Sequence, residues 1–331
     1  MHAIRLHAFG PADNLRYETV PDPSPGAGQV RITVAAAGVH LIDTALRKGL
    51  PGPYPVPELP TIPGREVAGT IDAVGADVDP GWVGKRVVAH LGMEPGGYAE
   101  LAVAEAARLH EIPAGLGPAE AVAMIGTGRT TVGILQFTEL GADSIAIVTA
   151  AAGGIGTLLV QFAKNAGATV IGLAGGPAKV ELVQRNGADL AVDYLLADWP
   201  EQVRGFLGDR RATVLFDSVG AETARAAIDL LGKGGQHLVF GASGQSPKDA
   251  TALTFSGEEL AARGITSEFV LGPPMIQRAG GDIRVLEDRA MAEAAAGRLR
   301  PAVQEFSLAD AAAAHRALET RATVGKVVLI P

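Results

Sequence analysis

The first 122 residues carry short apolar or alternating runs broken by glycine. "QVRITVAAAGV" (29–39) and "EVAGTIDAVG" (66–75) have this form, and "GKRVVAH" (84–90) and "GGYAELAVA" (96–104) read as further strands around a Gly-Gly turn. The proline-dense "PGPYPVPELPTIPG" (51–64) is a loop. The pattern then changes. "SIAIVTA", "ATVIGLA", "LAVDY", "ATVLFDSV", "GQHLVFGA" and "ITSEFVL" are strands with little alternation. Helices over Gly154–Ala166, Pro177–Asn186 and "ETARAAIDLL" stand between some of them. Non-alternating strands joined by helices predict a parallel sheet covered on both faces. Amphipathic helices at Ile283–Ala296 and Leu308–Glu319 and the strand "GKVVLI" follow.

Length divides this pattern into domains. The 331 residues exceed one small core and suit two. The boundaries expected are 1–122 for a β-rich domain, 123–270 for the α/β domain and 271–331 for a return to the first. A 47 % hydrophobic share supports folded cores. A net charge of -8 argues against nucleic-acid and anionic-membrane partners. The chain has no cysteine, which excludes disulfides, thiolate zinc sites and cysteine nucleophiles and suits a cytoplasmic location. The uncharged stretch between Asp143 and Lys164 is long enough to span a bilayer, but Gly153, Gly154 and Gly156 interrupt it. It reads as a buried strand feeding a buried helix.

The candidate chemistry starts in that stretch. In "IVTAAAGGIGTLLVQFAKNAGATVIGLAGG" (147–176) a strand, a glycine-rich turn and a helix form one dinucleotide-binding unit. Ala152, Gly153, Gly154 and Ile155 form the turn that meets a pyrophosphate at the helix N-terminus, and Gly156 lets the helix pack closely. Ala151 replaces the usual first glycine, which is tolerable where its backbone is not left-handed. The second strand ends in Ala174, Gly175 and Gly176 instead of the acid that binds a ribose 2′-hydroxyl, and Lys179 follows. That combination points to NADPH.

"AAAGGIGTLLVQFAKNAGATVIGLAGGPAKVELVQRNGAD" resembles the medium-chain dehydrogenase/reductase superfamily, as do "GVHLIDTALRKG", "PTIPGREVAGTIDAVG" and "LADAAAAHRALETRATVGKVVLIP". The resemblance implies an α/β protein with a GroES-like β-rich catalytic domain, a Rossmann doubly wound parallel sheet, and an active site in the cleft between them. Zinc members hold their metal with cysteines and a histidine of a "GHE" triplet. Here the triplet is "GRE", with Arg65 in the histidine's place, and no cysteine exists. The chain is therefore similar to the zinc-free quinone oxidoreductases, the zeta-crystallin group, which use NADPH.

The resemblance places His40 beside the reacting centre, where those enzymes usually have asparagine. His40, Tyr54, Arg65 and Thr127 are the candidate donors to a developing oxygen charge. Asp43 is expected to orient backbone or His40, and Arg65 to pair with Glu66, Asp43 or another acid of its own domain. Tyr194 joins the 2′-phosphate candidates by the same resemblance. The function expected is zinc-independent hydride transfer from NADPH to a quinone or an α,β-unsaturated carbonyl. The alternatives are a zinc alcohol dehydrogenase and a low-turnover NADPH-binding protein. A homodimer through the edge strand near "ITSEFVL" is expected as well.

Overall fold

The computed structural model describes residues 1–50, 54–243 and 257–331. Residues 51–53 of the proline-rich stretch lie outside them. The chain folds as two compact units, Met1–Gly128 with Ala290–Ala295 and Pro301–Pro331, and Arg129–Arg289 with Ala296–Arg300.

The first unit holds β1 (His2–Leu6), β2 (Leu15–Thr19), β3 (Gln29–Val39), β4 (Glu66–Val74), β5 (Arg86–His90), β6 (Leu101–Glu105) and β7 (Leu109–Glu111). In the second, β8 (Ile145–Val148), β9 (Thr169–Ala174), β10 (Leu190–Asp193), β11 (Ala212–Asp217), β12 (Leu231–Val239) and β13 (Thr266–Phe269) form a sheet. The chain then returns to the first unit with β14 (Val303–Ser307) and β15 (Lys326–Ile330).

In the first unit β1 pairs with β2, and seven strands form a sheet in the order β14-β15-β3-β4-β5-β7, with β6 also on β3. The alternation of β3 buries Val30, Ile32 and Val34 in one core with Val67, Ile71, Val87 and Leu329. Two registers matter for function. Val327 lies opposite Val39 and Val328 opposite Gly38, so one further step brings Lys326 opposite His40. Ala37 lies opposite Val67, so the next step sets Glu66 beside Gly38.

The second unit has an all-parallel sheet in the order β10-β9-β8-β11-β12-β13. This is the doubly wound order, and the α/β class expected from the sequence is the one observed. The lack of alternation in β8 has a direct cause. Ala146 and Val148 pack into one core, Ile145 and Ile147 into another on the opposite face. The uncharged stretch around them is thus strand and covered helix. No helix among the described residues is long and apolar enough to cross a membrane.

Candidate active site

The glycine turn of the second unit follows β8. The left-handed position falls on Ala150, with φ of 45°, and not on Ala151, so the missing first glycine causes no strain at its own position. A β-carbon on Gly156 would lie 2.3 Å from the Ala150 carbonyl oxygen, so only glycine lets helix Gly154–Asn165 start this close to the turn. Gly153 precedes that helix with no side-chain cap, which leaves its first amides to an anionic group. These features fit a dinucleotide pyrophosphate at Ala152, Gly153, Gly154 and Ile155.

At the end of β9, a β-carbon on Gly175 would lie 3.3 Å from the Tyr194 hydroxyl, so the structure brings these two candidates together. Gly176 has φ of 89° and open space where a side chain would stand. Its next turn carries Lys179, whose amide bonds the Gly176 carbonyl at 3.2 Å. One acid near this place escaped the sequence reading. Asp193 Oδ1 accepts from the amides of Gly176 and Leu195, both at 3.0 Å. These two bonds fix the loop.

In the first unit, β3 ends at Val39 and helix Leu41–Arg47 begins, with His40 at its N-terminus. Asp43 reaches back, and its Oδ2 accepts the His40 amide at 2.8 Å. The His40 side chain is 32 % exposed. Its Nε2 lies 2.7 Å from Glu66 Oε1 and 2.5 Å from Lys326 Nζ. Lys326 in turn lies 2.9 Å from Glu66 Oε2. Each carboxylate oxygen thus faces a nitrogen of one of these two side chains at ion-pair distance. Burial pushes the Glu66 carboxyl up, but His40 and Lys326 overcome it and hold the group well below the usual carboxylate range. Glu66 is therefore an ionised carboxylate with no exposed surface.

Glycines make room for that carboxylate. A β-carbon on Gly38 would lie 2.3 Å from Glu66 Oε2, and one on Gly126 would lie 1.6 Å from Oε1. Gly126 sits in a π-helical turn, Met124–Gly128, which also carries the buried Thr127.

Arg65 is buried, with its guanidinium 4.4 Å from the centre of the Tyr54 ring. Its Nη1 is 4.0 Å from Asp43 Oδ1, so the acid it faces is Asp43, within its own unit. The structure thus gathers His40, Asp43, Arg65 and Tyr54. It adds Glu66 and Lys326, which the sequence reading did not single out as site residues. The available signal was a charged residue at the head of each apolar strand, in "REVAG" and "GKVVLI".

A zinc ion does not fit this arrangement. The ammonium of Lys326 stands 2.5 Å from His40 Nε2, where it would repel a zinc ion bound to that nitrogen. Among the described residues no group of three or more histidine, aspartate or glutamate side chains is placed to hold a metal.

Comparison with known proteins agrees with both units. Residues 26–114 match the model of the alcohol dehydrogenase GroES-like domain, and residues 154–272 the model called zinc-binding dehydrogenase. The chain is 33 % identical to a quinone oxidoreductase of Pseudomonas aeruginosa over 99 % of both chains. It is 32 % identical to a 2-haloacrylate reductase of a Burkholderia species, over 99 % of this chain and 98 % of that one. The crystal structure of Escherichia coli quinone oxidoreductase complexed with NADPH matches with a TM-score of 0.83 and 27 % identity, over all of both chains.

Proposed function

Since the chain belongs to the zinc-free quinone oxidoreductase group of the medium-chain dehydrogenase/reductase superfamily, we propose that it reduces a quinone, or the conjugated double bond of an α,β-unsaturated carbonyl, with NADPH. NADPH supplies the hydride. The turn at Ala152–Ile155 holds the pyrophosphate, and Gly175, Gly176, Lys179 and Tyr194 receive the 2′-phosphate. His40 donates to the oxygen on which negative charge develops.

One observation carries this reading: His40 is partly exposed and backed by the Lys326 ammonium and an ionised Glu66 in place of a metal. A histidine fixed at that point supplies a preorganised donor without a Lewis acid. Arg65 stacks on the Tyr54 ring and faces Asp43, and in this reading Thr127, next to Gly126, supplies a second donor. The 2-haloacrylate reductase relative supports the conjugated-alkene form of the reaction, and the quinone oxidoreductases support the quinone form.

The test is NADPH oxidation with 9,10-phenanthrenequinone, a linear enone and a 2-haloacrylate. Turnover of any of the three, undiminished by a chelator, supports the proposal. Binding of NADPH without turnover of any acceptor leaves a low-turnover binding protein instead, and turnover of an alcohol that needs added zinc leaves a zinc alcohol dehydrogenase.

The assembly proposed is a homodimer through β13. All four of its residues are exposed, Phe269 at 58 %, and among the described residues it is the last strand of the sheet. Light scattering at micromolar concentration tests this, and a monomer mass overturns it.

A further inference from the structure

Behind Asp43 lies a row of buried polar side chains that the proposed reaction does not use. The Tyr98 hydroxyl donates to Asp43 Oδ2 at 3.0 Å. His315 Nε2 is 3.3 Å from the same hydroxyl, and His315 Nδ1 is 3.4 Å from Arg47 Nη1. Arg47 Nη2 then donates to Glu319 Oε1 at 2.6 Å, and Lys48 meets that carboxylate at 2.7 Å. Tyr98 and His315 have no exposed surface, and Arg47 has 2 %.

The proton positions in this row follow from donor chemistry. A guanidinium has only donors, so His315 Nδ1 accepts from Arg47. A neutral imidazole then carries its proton on Nε2, which donates to the Tyr98 oxygen. Tyr98 has one proton left to direct, and it goes to Asp43. The titration tendencies agree. Burial lowers His315 to about 4, with Arg47 adding to the effect against the pull of Asp43, so the ring is neutral at pH 7. Burial, then the Asp43 charge, raises Tyr98 well above its ordinary value and keeps it a donor. The row does not conduct protons, because it ends on an arginine that keeps its charge. It is a fixed chain of dipoles.

Tyr98 also touches the other side of the site. A β-carbon on Gly64 would lie 2.3 Å from the Tyr98 ring, so that glycine, at φ of 89°, exists in contact with the ring. Gly64 leads directly into Arg65 and Glu66. One buried ring thus braces Asp43, which anchors the His40 amide, and the turn that delivers Glu66.

We propose that His315, locked with its proton on Nε2, and Tyr98 act together as the positioning unit of the site, holding His40 and Glu66 in register for acceptor reduction. This rests on the reading of His40 given above. Neither residue touches substrate.

The test combines a spectroscopic and a kinetic readout on the full-length protein. With ¹⁵N-labelled histidine, His315 in the parent shows a neutral ring protonated on Nε2 at pH 6. A cationic ring, or a proton on Nδ1, overturns the proposal. Tyr98→Phe keeps the ring and removes the hydroxyl, and it lowers kcat about tenfold, the loss of one hydrogen bond's worth of alignment, with NADPH affinity nearly unchanged. His315→Gln, which retains a neutral N–H donor, keeps more kcat than His315→Leu. Folded Tyr98→Phe with parental kcat overturns the proposal. Should Tyr98→Phe not fold, the parent spectrum and the Gln–Leu comparison decide, and equal kcat in those two variants overturns it. Failure of the functional reading looks different. His40→Ala then turns over acceptors at the parental rate while the His315 spectrum stays as stated.

Discussion

The carboxylate of Glu66 occupies the space that a side chain at Gly126 would need, with Oε1 1.6 Å from the position of a Gly126 β-carbon. Neither group has room to give. Glu66 is fully buried between His40 and Lys326, and Gly126 is buried in its π-helical turn. Gly126→Ala is therefore expected to displace a paired, buried charge, at a cost of about 3–5 kcal/mol. The urea midpoint measures this. In the double variant with Glu66→Ala the two effects are not additive, because the shared space is vacated. A parental midpoint for Gly126→Ala contradicts the placement of Glu66.

His40→Ala is expected to lower turnover about a hundredfold and leave NADPH affinity nearly unchanged, because a donor to developing charge acts mainly in the transition state. His40→Asn retains a donor and keeps more activity. Comparing a quinone with an enone sharpens the test. The quinone is the more reactive acceptor and loses less.

Lys179→Ala is expected to weaken NADPH about tenfold or more and to leave NADH little changed, the loss of one charge-assisted contact to the 2′-phosphate. Dissociation constants for both cofactors measure it. Equal affinities in the parent contradict the assignment of Gly175, Gly176, Lys179 and Tyr194.

Stability is expected to fall with acid through His315. Its folded value of about 4 lies below the ordinary 6.5, so the unfolded chain binds the extra proton first as pH drops. Stability is whole above 6.5 and is lost progressively down to about 4, on the order of 3 kcal/mol in total. Between pH 7.5 and 5 the parent should lose about 2 kcal/mol that His315→Gln does not lose. Glu66 acts in the same direction but lower, since its depressed folded value destabilises only below the unfolded carboxylate range, near 4.5. Parallel pH curves for parent and His315→Gln contradict a buried neutral His315.

The second unit was legible because its signals are local. A strand buried on both faces has to be apolar throughout, as Ile145–Val148 is, and a helix that starts against a strand has to have Gly156. The first unit was harder. β1, β7 and β14 are three to five residues long, too short to show a period of their own. Separation along the chain hid Glu66 and Lys326. Only the registers of β4 and β15 against β3 bring them to His40, and register is set by the assembled sheet. Asp43 was placed correctly as an orienting residue because a carboxylate three residues after a helix start has a short-range partner, the His40 amide. Tyr98 and His315 carried no local signal, since one sits after a Gly-Gly turn and the other in an alanine-rich helix.

The pairing of β15 with Ala37–Val39 also has a bearing on synthesis. β15 follows every strand of the second unit in the chain. During translation the parallel sheet is therefore complete while the stretch just before His40 is still an open edge, exposed to other nascent chains. A chain emerged past Arg300 but short of β15 would carry a finished nucleotide fold and an unfinished reaction centre, lacking Lys326 and sticky at β3. Holdase chaperones should engage this protein late in its elongation, and release should coincide with the emergence of β15.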